Sequence, residues 1–188
     1  MGVTFEPIGV VRTPFTDKKD APRQPAAARG VRGRVELIDS AEMRDAVCDL
    51  EAWTHLWIVY VFHERGEGWS PKVQPPRSDR RRGVLATRSP HRPNPIGLSA
   101  LRVTGVTGHT VHVLGLDLLD ETPILDIKPY VPYADAFPGA AAGWLDELEG
   151  PIDGPDRPTR APARKRREEP SDNYESGRDR AGGEPEDP

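Results

Sequence analysis

The chain has 188 residues and a net charge of −4, and 36% of its residues are hydrophobic, which suits one domain, or one domain followed by a tail. Its 21 prolines and 18 glycines exclude a helical bundle, because both residues interrupt helices. No apolar run approaches the roughly 20 residues of a membrane span, and the first residues do not resemble a secretory signal. The single cysteine, Cys48, excludes an internal disulfide. We expect a cytoplasmic protein without a membrane segment.

The predicted elements of the first third are two strands and a helix. A short β-rich run at residues 8–11 is followed by an alternating run at residues 31–38, and each indicates a strand. Asp39 then provides a capping acid with Glu42 three residues later, a pattern typical of a helix start. The predicted helix ends near Leu50.

The rest of the first 150 residues is predicted to be mainly strands. Residues 54–62 are nearly all β-branched or aromatic, so we expect a strand that is covered on both faces. Further strands are predicted at 83–87, 96–106, 110–116 and 124–130, with a second helix at 140–149. The strands at 96–106 and 110–116 flank a turn and form a predicted hairpin. Because strands do not alternate with helices, the pattern favours a compact β-barrel with a few short helices.

Composition divides the chain at about residue 150. Residues 151–188 contain seven prolines and four glycines, with Ile152 and Tyr174 as their only large apolar side chains. Such a segment buries too little apolar surface to offset the loss of chain entropy. We therefore predict a β-barrel domain at residues 1–150 and a disordered tail at 151–188. The basic run at 164–167 is either a contact for RNA or part of a solvated tail.

The net charge conceals a basic segment. Residues 65–102 carry nine lysines and arginines but two acids, which suits a polyanionic partner. Within this segment, residues 71–83 lack apolar periodicity and include Arg77. They form either a solvated loop or a loop that contacts phosphates of RNA.

A proline-rich stretch at residues 86–99 is the densest candidate site. Three prolines stiffen it, and its polar side chains are Arg88, His91, Arg92 and Asn94. A rigid loop of planar donors suits a ligand, because preorganisation lowers the ordering cost of binding. The alternative is a solvated turn.

One further stretch carries candidate residues. Asp126 and Lys128 alternate with Leu125 and Ile127, so the two charges are predicted to share one face of a strand, near Tyr130. They form either a surface ion pair or part of a cleft. The histidines show no spacing typical of a metal site, so we expect no metal.

The residues resemble those of the TsaA-like family. The resemblance rests on residues 7–15 with 22–24, on 50–57, on the Arg-Ser-Pro-His-Arg-Pro-Asn-Pro-Ile-Gly block at 88–97, and on 126–133. It runs in order over residues 5–138. The best-known members are S-adenosylmethionine-dependent tRNA N6-adenosine methyltransferases. The resemblance implies a compact β-barrel that works as a homodimer and methylates N6 of threonylcarbamoyladenosine beside the anticodon of a threonine tRNA.

Carried onto this chain, the resemblance implies a set of cofactor contacts. They are Pro22, Arg23, Gln24, His63, Glu64, Arg88, Leu98, Asp117, Leu118, Leu119 and Asp120. The family's usual Gly-Thr-Pro after the second of these aspartates is Glu121-Thr122-Pro123 here. Larger bacterial members carry a C-terminal domain, where this chain has its proline-rich tail.

For catalysis we expect an acceptor beside the N–H of the target N6 nitrogen. Asn94 is the candidate, by analogy with the Asn-Pro pairs of other amino-methyltransferases, and Asp126 is the alternative. Lys128, Tyr130 and Arg92 would then hold the modified nucleotide, and Arg77 would contact RNA. Two other functions stay open: a barrel that senses S-adenosylmethionine and regulates a protein partner, and an RNA-binding barrel without chemistry.

Overall fold

A computed structural model of the chain describes residues 2–22, 28, 30–76 and 78–148. Its strands are β1 (Gly9–Arg12), β2 (Arg32–Leu37), β3 (His55–Val61), β4 (Lys72–Val73), β5 (Arg82–Gly83), β6 (Ile96–Thr107), β7 (Thr110–Leu114) and β8 (Pro123–Pro129). Its α-helices are α1 (Ala41–Ala46) and α2 (Pro132–Asp135), and 3₁₀ helices span Leu50–Ala52, Val84–Ala86 and Gly143–Glu147.

Six strands close into a barrel in the order β1-β2-β7-β6-β3-β8, and β4 pairs with β5 in a separate two-stranded sheet. All the pairs are antiparallel, and β1 closes the ring because it pairs with β2 on one side and with β8 on the other. The predicted β-barrel is therefore confirmed. The predicted hairpin is also confirmed, since Thr107 pairs with Thr110 across a two-residue turn. Gly108 supplies the positive φ, +60°, that this turn needs.

The interior of the barrel is filled by every second side chain of each strand. On β3, Leu56, Ile58 and Tyr60 are buried, whereas the side chains between them are half-buried. The prediction that both faces of this strand are covered is thus correct for the inner face only. Leu101, Val111 and other inward residues complete a core that runs through all six strands.

A bulge shifts the register of β8. Val59 pairs with Asp126, but the next residue of β3, Tyr60, pairs with Ile124. Leu125 is therefore the extra residue, and Ile124 takes the inward position that alternation assigned to Leu125. The predicted common face of Asp126 and Lys128 survives, because both lie on the same side of the bulge.

The first helix was predicted wrongly at both of its ends. Ser40, not Asp39, caps α1, because its side chain accepts a hydrogen bond from the backbone N–H of Met43 at 3.1 Å. The helix then ends at Ala46, before the predicted Leu50, and Asp49 adopts a positive φ of 67° that interrupts it.

The predicted strand at 83–87 contains only the end of β5, after which the chain turns into the 3₁₀ helix Val84–Ala86. The second predicted helix is a 3₁₀ helix, Gly143–Glu147. The predicted tail, residues 151–188, lies outside the described residues, and so does the boundary at residue 150.

Candidate active site

A line of three polar side chains joins β3, β6 and the segment that follows β7. Strand alternation turns Ser99 of β6 inward, where it is 3% exposed. Its hydroxyl donates a hydrogen bond to Oδ1 of Asp117 at 3.0 Å, and the hydroxyl of Tyr60 lies 3.4 Å from Ser99 Oγ. Because the serine proton points to the carboxylate, the phenol is the donor to Ser99. The line is a directed chain of donors that ends on Asp117.

Burial determines the protonation of both ends of this line. It raises the pKa of Asp117 to about 6, although the hydrogen bond from Ser99 and the positive charge of Arg88 oppose the shift. Burial, aided by the charge of Asp117, raises the pKa of Tyr60 to about 12. Tyr60 therefore keeps its proton at neutral pH. Asp117 is a carboxylate whose charge is incompletely compensated, so a cationic ligand beside it would stabilise the ionised form.

Gly97 makes room for the Tyr60 side chain. The two residues pair directly across β3 and β6, and a Cβ atom on Gly97 would lie 2.2 Å from the ring atoms Cε2 and Cζ of Tyr60. Any larger residue at position 97 would therefore displace the ring and its hydroxyl. Gly97 is therefore needed for the position of the Tyr60 hydroxyl in the polar line, as well as being part of β6.

The loop that carries Arg88 is braced from within. The Thr87 hydroxyl donates to the carbonyl of Val84 at 2.8 Å, and Nη1 of Arg92 donates to the carbonyl of Thr87 at 3.3 Å. The far end is tied to the barrel, because the N–H of Phe62 donates to the carbonyl of Pro95 at 2.8 Å. The loop is a fixed platform, and Arg92 contributes to its closure.

Three other chain segments meet near this loop. Lys18, in the loop after β1, donates to the carbonyl of Glu64 just past β3, and His63 Nε2 lies 4.0 Å from Oε1 of Glu64. In the same loop, the carbonyl of Phe15 accepts from the N–H of Asp120 at 2.8 Å. The structure therefore brings the loop after β1, the end of β3 and the segment after β7 together. Pro22 is half-buried in that loop, while Arg23, Gln24 and Arg77 lie outside the described residues.

The segment at residues 117–120 divides its side chains among different surroundings. Leu118 is 4% exposed and belongs to the barrel core. The carbonyl of Leu119 accepts from the Thr122 hydroxyl at 2.7 Å. Asp120 accepts from the N–H of Thr13 at 3.0 Å and lines a pocket of about 340 Å³ together with Arg12, Arg32 and Arg34. Asp120 therefore holds the loop after β1 in place, whereas Asp117 ends the polar line.

The outer face of the barrel carries the other candidates. Asp126 accepts from Lys128 Nζ at 2.7 Å and from the N–H of Ile127 at 2.9 Å, so each of its oxygens has a partner. The Tyr130 ring packs against Trp57, with ring centroids 5.3 Å apart. Leu98 lies on the same outer face, because it pairs with Val59 and Val59 pairs with Asp126. The Leu98 side chain is 49% exposed.

Asn94 stands apart from this outer group. It is exposed, in the braced loop just before β6, and its carbonyl accepts from the N–H of Ile96 at 2.7 Å. β3 separates β6 from β8, so β8 lies two interstrand spacings, roughly 10 Å, from β6. The candidates for catalysis thus form two groups: Asn94 on the braced loop, and Asp126, Lys128 and Tyr130 on the outer face of β8.

Sequence analysis did not select Ser99, Tyr60 or Thr13. Ser99 and Tyr60 occupy inward positions of predicted strands, so alternation alone could have marked them as buried polar groups that need a partner. Thr13 Oγ1 is buried and has no hydrogen-bond partner among the described residues, which leaves a hydroxyl available beside Asp120. No sequence pattern indicated it.

The described part of the chain contains neither a cluster of metal-ligand side chains nor a helix that could cross a membrane. Within residues 2–22, 28, 30–76 and 78–148, no group of three or more His, Cys, Asp or Glu side chains is placed to hold a metal ion. In the same part of the chain, every helix is too short or too polar to cross a bilayer.

Comparisons with known proteins identify the family. Residues 10–136 match the model of the tRNA-methyltransferase O N-terminal domain. The chain is 47% identical over 147 residues to a tRNA (adenine(37)-N6)-methyltransferase of Escherichia coli, covering 74% of this chain and 63% of that protein. It is 39% identical over 145 residues to a probable S-adenosyl-L-methionine-binding protein of Pyrococcus abyssi, covering 77% of each.

A solved structure has the same fold. The crystal structure of TrmO from Pseudomonas aeruginosa superposes with a TM-score of 0.67 at 40% identity, over 80% of this chain and 66% of that one. The chain spans less than two thirds of the length of the E. coli relative. The family model nonetheless covers most of the barrel and every candidate residue of the polar line, so the chain belongs to the family of the tRNA-methyltransferase O N-terminal domain.

Proposed function

We propose that this protein is an S-adenosylmethionine-dependent methyltransferase that methylates N6 of adenosine 37, as threonylcarbamoyladenosine, next to the anticodon of a threonine tRNA. The observation that carries the proposal is the half-buried carboxylate of Asp117, which lies in a barrel of this family with Ser99 and the charge of Arg88 beside it. The names of the relatives in E. coli and P. abyssi supply the activity and the cofactor.

The residues present fit the charges of S-adenosylmethionine. Its ammonium and sulfonium groups are cationic, and Asp117 is a half-buried carboxylate whose raised pKa shows that its negative charge is incompletely compensated. Arg88 suits the carboxylate of the same molecule, since a guanidinium binds carboxylates through two parallel hydrogen bonds. The remaining contacts in the proposal come from Pro22, Arg23, Gln24, His63, Glu64, Leu98, Leu118, Leu119 and Asp120. Of these, Leu118 has only its backbone to offer, because its side chain fills the core.

The chemistry requires positioning and one proton acceptor. S-adenosylmethionine, when bound, supplies a methyl group on a sulfonium sulfur. The adenine N6 nitrogen gains that methyl group and loses a proton, and its lone pair is delocalised into the ring. An acceptor on its N–H therefore raises its nucleophilicity. The braced loop fixes the geometry, which lowers the entropic part of the barrier.

We assign the acceptor role to Asn94 in preference to Asp126. The side-chain oxygen of Asn94 makes no hydrogen bond to other described residues, whereas both oxygens of Asp126 are already used. Lys128 and Tyr130 would receive the carboxylate and ring of the modified nucleotide, and Arg77 the RNA backbone. Arg92 would assist by holding the loop. If Asn94→Ala and Asp126→Ala both keep the wild-type single-turnover rate with saturating cofactor, this assignment is wrong.

We further propose a homodimer that works in the cytoplasm with its tRNA. The outer face of β6, β3 and β8 supports this, because Ile96 and Leu98 are 39% and 49% exposed beside the half-buried Trp57. Apolar side chains grouped on one face favour an interface. Equilibrium sedimentation at micromolar concentration should give twice the chain mass, and a monomer would contradict the proposal.

Two measurements test the proposed activity. Calorimetric titration should show that S-adenosylmethionine and S-adenosylhomocysteine bind without RNA, and that Arg88→Ala weakens both. Incubation with labelled S-adenosylmethionine and threonine tRNA carrying threonylcarbamoyladenosine should then place label on N6 of adenosine 37. The absence of label with a protein that binds the cofactor would overturn the proposal.

A second candidate, a barrel that binds S-adenosylmethionine without transferring its methyl group, is favoured by one observation. Proteins of P. abyssi and Archaeoglobus fulgidus that are 39% and 40% identical to this chain are named for binding alone. This second candidate function predicts that the protein binds S-adenosylmethionine tightly but leaves the tRNA unlabelled in the incubation with labelled cofactor. A barrel that binds RNA without chemistry predicts RNA binding that is unaffected by the cofactor.

A further inference from the structure

A pocket beside the braced loop has no role in the proposed site. It has a volume of about 420 Å³ and is formed by residues 67–70 and 72–74, Arg81 and His91. Trp69 lies at its wall and is 53% exposed. Tryptophan is large and mostly buried in folded proteins, so an indole ring open to solvent at the wall of a pocket indicates a surface for a flat ligand.

The turn that presents Trp69 is held in a defined conformation. Gly66 and Gly68, which precede Trp69 in this turn, have φ of 77° and 75°, values that favour glycine. The guanidinium of Arg65 donates to the carbonyl of Gly68. The β4–β5 hairpin follows this turn. A further hydrogen bond, from the N–H of Val84 to the carbonyl of Pro71 at 3.0 Å, fixes the end of the turn against the 3₁₀ helix Val84–Ala86. The ring is therefore displayed on a braced turn.

The charges around Trp69 are mainly positive. Lys72 and Arg81 line the pocket, with Glu67 as the acid of the lining. Nη2 of Arg81 donates to the carbonyl of Lys72 at 2.6 Å and to Ser70 Oγ at 3.4 Å, which fixes the guanidinium on the β4–β5 hairpin. An aromatic face with fixed cations beside it is the arrangement that binds single-stranded nucleic acid, through base stacking and phosphate contacts.

The pocket is close to the proposed site for the reaction. His91 belongs to the braced loop, three residues after Arg88, whose charge acts on Asp117. A ligand in the pocket would therefore lie next to a nucleotide presented to that loop. An enzyme that acts on a base must take it out of its stack, and the neighbouring base then loses a stacking partner.

From this arrangement we propose that the pocket binds the nucleotide that flanks the target adenosine, with its base stacked on the indole of Trp69 and its phosphate against Lys72 and Arg81. The inference rests on the proposed function for the identity of the RNA. It assigns Trp69 as a positioning residue, because stacking replaces the contact that the flanking base gives up.

Binding of an anticodon stem-loop RNA of threonine tRNA, measured by fluorescence anisotropy, tests the inference. Trp69→Ala should weaken the affinity about 5- to 100-fold, and Trp69→Phe should stay within about threefold, since a phenyl ring still stacks. Phe137→Ala, which removes an aromatic ring that is 75% exposed outside the pocket, is the matched control. Calorimetry should show unchanged S-adenosylmethionine binding by Trp69→Ala, and thermal unfolding should show an unchanged fold.

A second readout separates stacking from general charge. With 2-aminopurine in place of the flanking base, wild-type protein and Trp69→Phe should quench its fluorescence, and Trp69→Ala should not. Equal RNA affinity of Trp69→Ala and wild type, equal quenching by both, or no RNA binding by the wild type would each overturn the inference. Trp69-dependent binding without methyl transfer would support the inference and overturn the proposed activity.

Discussion

Asp117 and Asp126 carry the same side chain in opposite surroundings. Asp117 is half-buried at the end of the polar line, accepts a hydrogen bond from Ser99, and has a pKa raised to about 6 by desolvation. Asp126 lies on the outer face, 43% exposed, and is paired with Lys128. An exposed pair of this kind contributes about 0–1 kcal/mol to stability, whereas the ionised form of Asp117 costs stability until a ligand compensates it. The comparison favours Asp117 over Asp126 as the carboxylate that binds a cationic ligand.

The largest expected effect is on cofactor binding. Asp117→Asn keeps the shape and can still accept from Ser99, but it removes the charge. Truncating one partner of a buried charge pair costs about 2–5 kcal/mol, so the affinity for S-adenosylmethionine should fall about 30-fold or more. The matched variant Asp126→Asn should change it less than threefold. Calorimetric titration at pH 7 measures the S-adenosylmethionine affinity of both variants. Equal losses of affinity in the two variants would show that the charge of Asp117 has no special role in binding.

The same substitution should stabilise the protein without ligand. The pKa of Asp117 is raised from 3.8 to about 6 in the folded state, so the folded state binds more protons between these values. The free energy of unfolding therefore falls as pH rises from about 4 to 6. Ionising Asp117 in the folded protein lowers the free energy of unfolding by about 3 kcal/mol above pH 7. Asp117→Asn avoids this loss, so the variant should be more stable than the wild type at neutral pH and nearly equal to it at pH 4. Urea unfolding at pH 4 and pH 8 tests it. A gain that is equal at both pH values would contradict the buried charge.

Gly97→Ala tests the path from Tyr60 to Asp117. The added Cβ overlaps the Tyr60 ring, and overpacking of this kind costs about 1–3 kcal/mol. Gly105→Ala, on the same strand with open space around its Cβ, is the control and should cost less. Urea unfolding gives both values. Similar losses in the two variants would show that the fit of Gly97 against Tyr60 does not matter.

The smallest expected effect on stability concerns Glu121, which lies between Asp117 and Asp126 in the sequence. Its φ is 61°, which favours glycine, the residue that the family usually has there. Glu121→Gly should therefore be more stable than Glu121→Ala by about 1 kcal/mol. Both variants lose the same exposed contact with Arg12, so their difference isolates the backbone. Equal stability by urea unfolding would show that the turn is not strained.

Local patterns predicted the six barrel strands and the hairpin well, because alternation and turn residues act over a few positions, but they did not predict β4 or the true position of β5. They did not predict the closure of β1 against β8 or the bulge before Asp126, since both depend on pairing between distant segments. The same limit applies to the site. Arg88 was indicated by the proline-rich stretch and Asp117 by the family resemblance, but the line from Tyr60 through Ser99 exists only once β3 and β6 are paired. Arg92 was chosen as a nucleotide contact, and its bond to the Thr87 carbonyl gives it a role in closing the loop.

The central claim is that ionised Asp117 binds the positive end of the cofactor, and the pH dependence of S-adenosylmethionine affinity tests it most directly. With a pKa of about 6 in the free protein, the wild type should bind about tenfold more weakly at pH 5 than at pH 7, and Asp117→Asn should show no such change. An affinity of the wild type that is the same at both pH values, or a parallel decline in Asp117→Asn, would contradict the account.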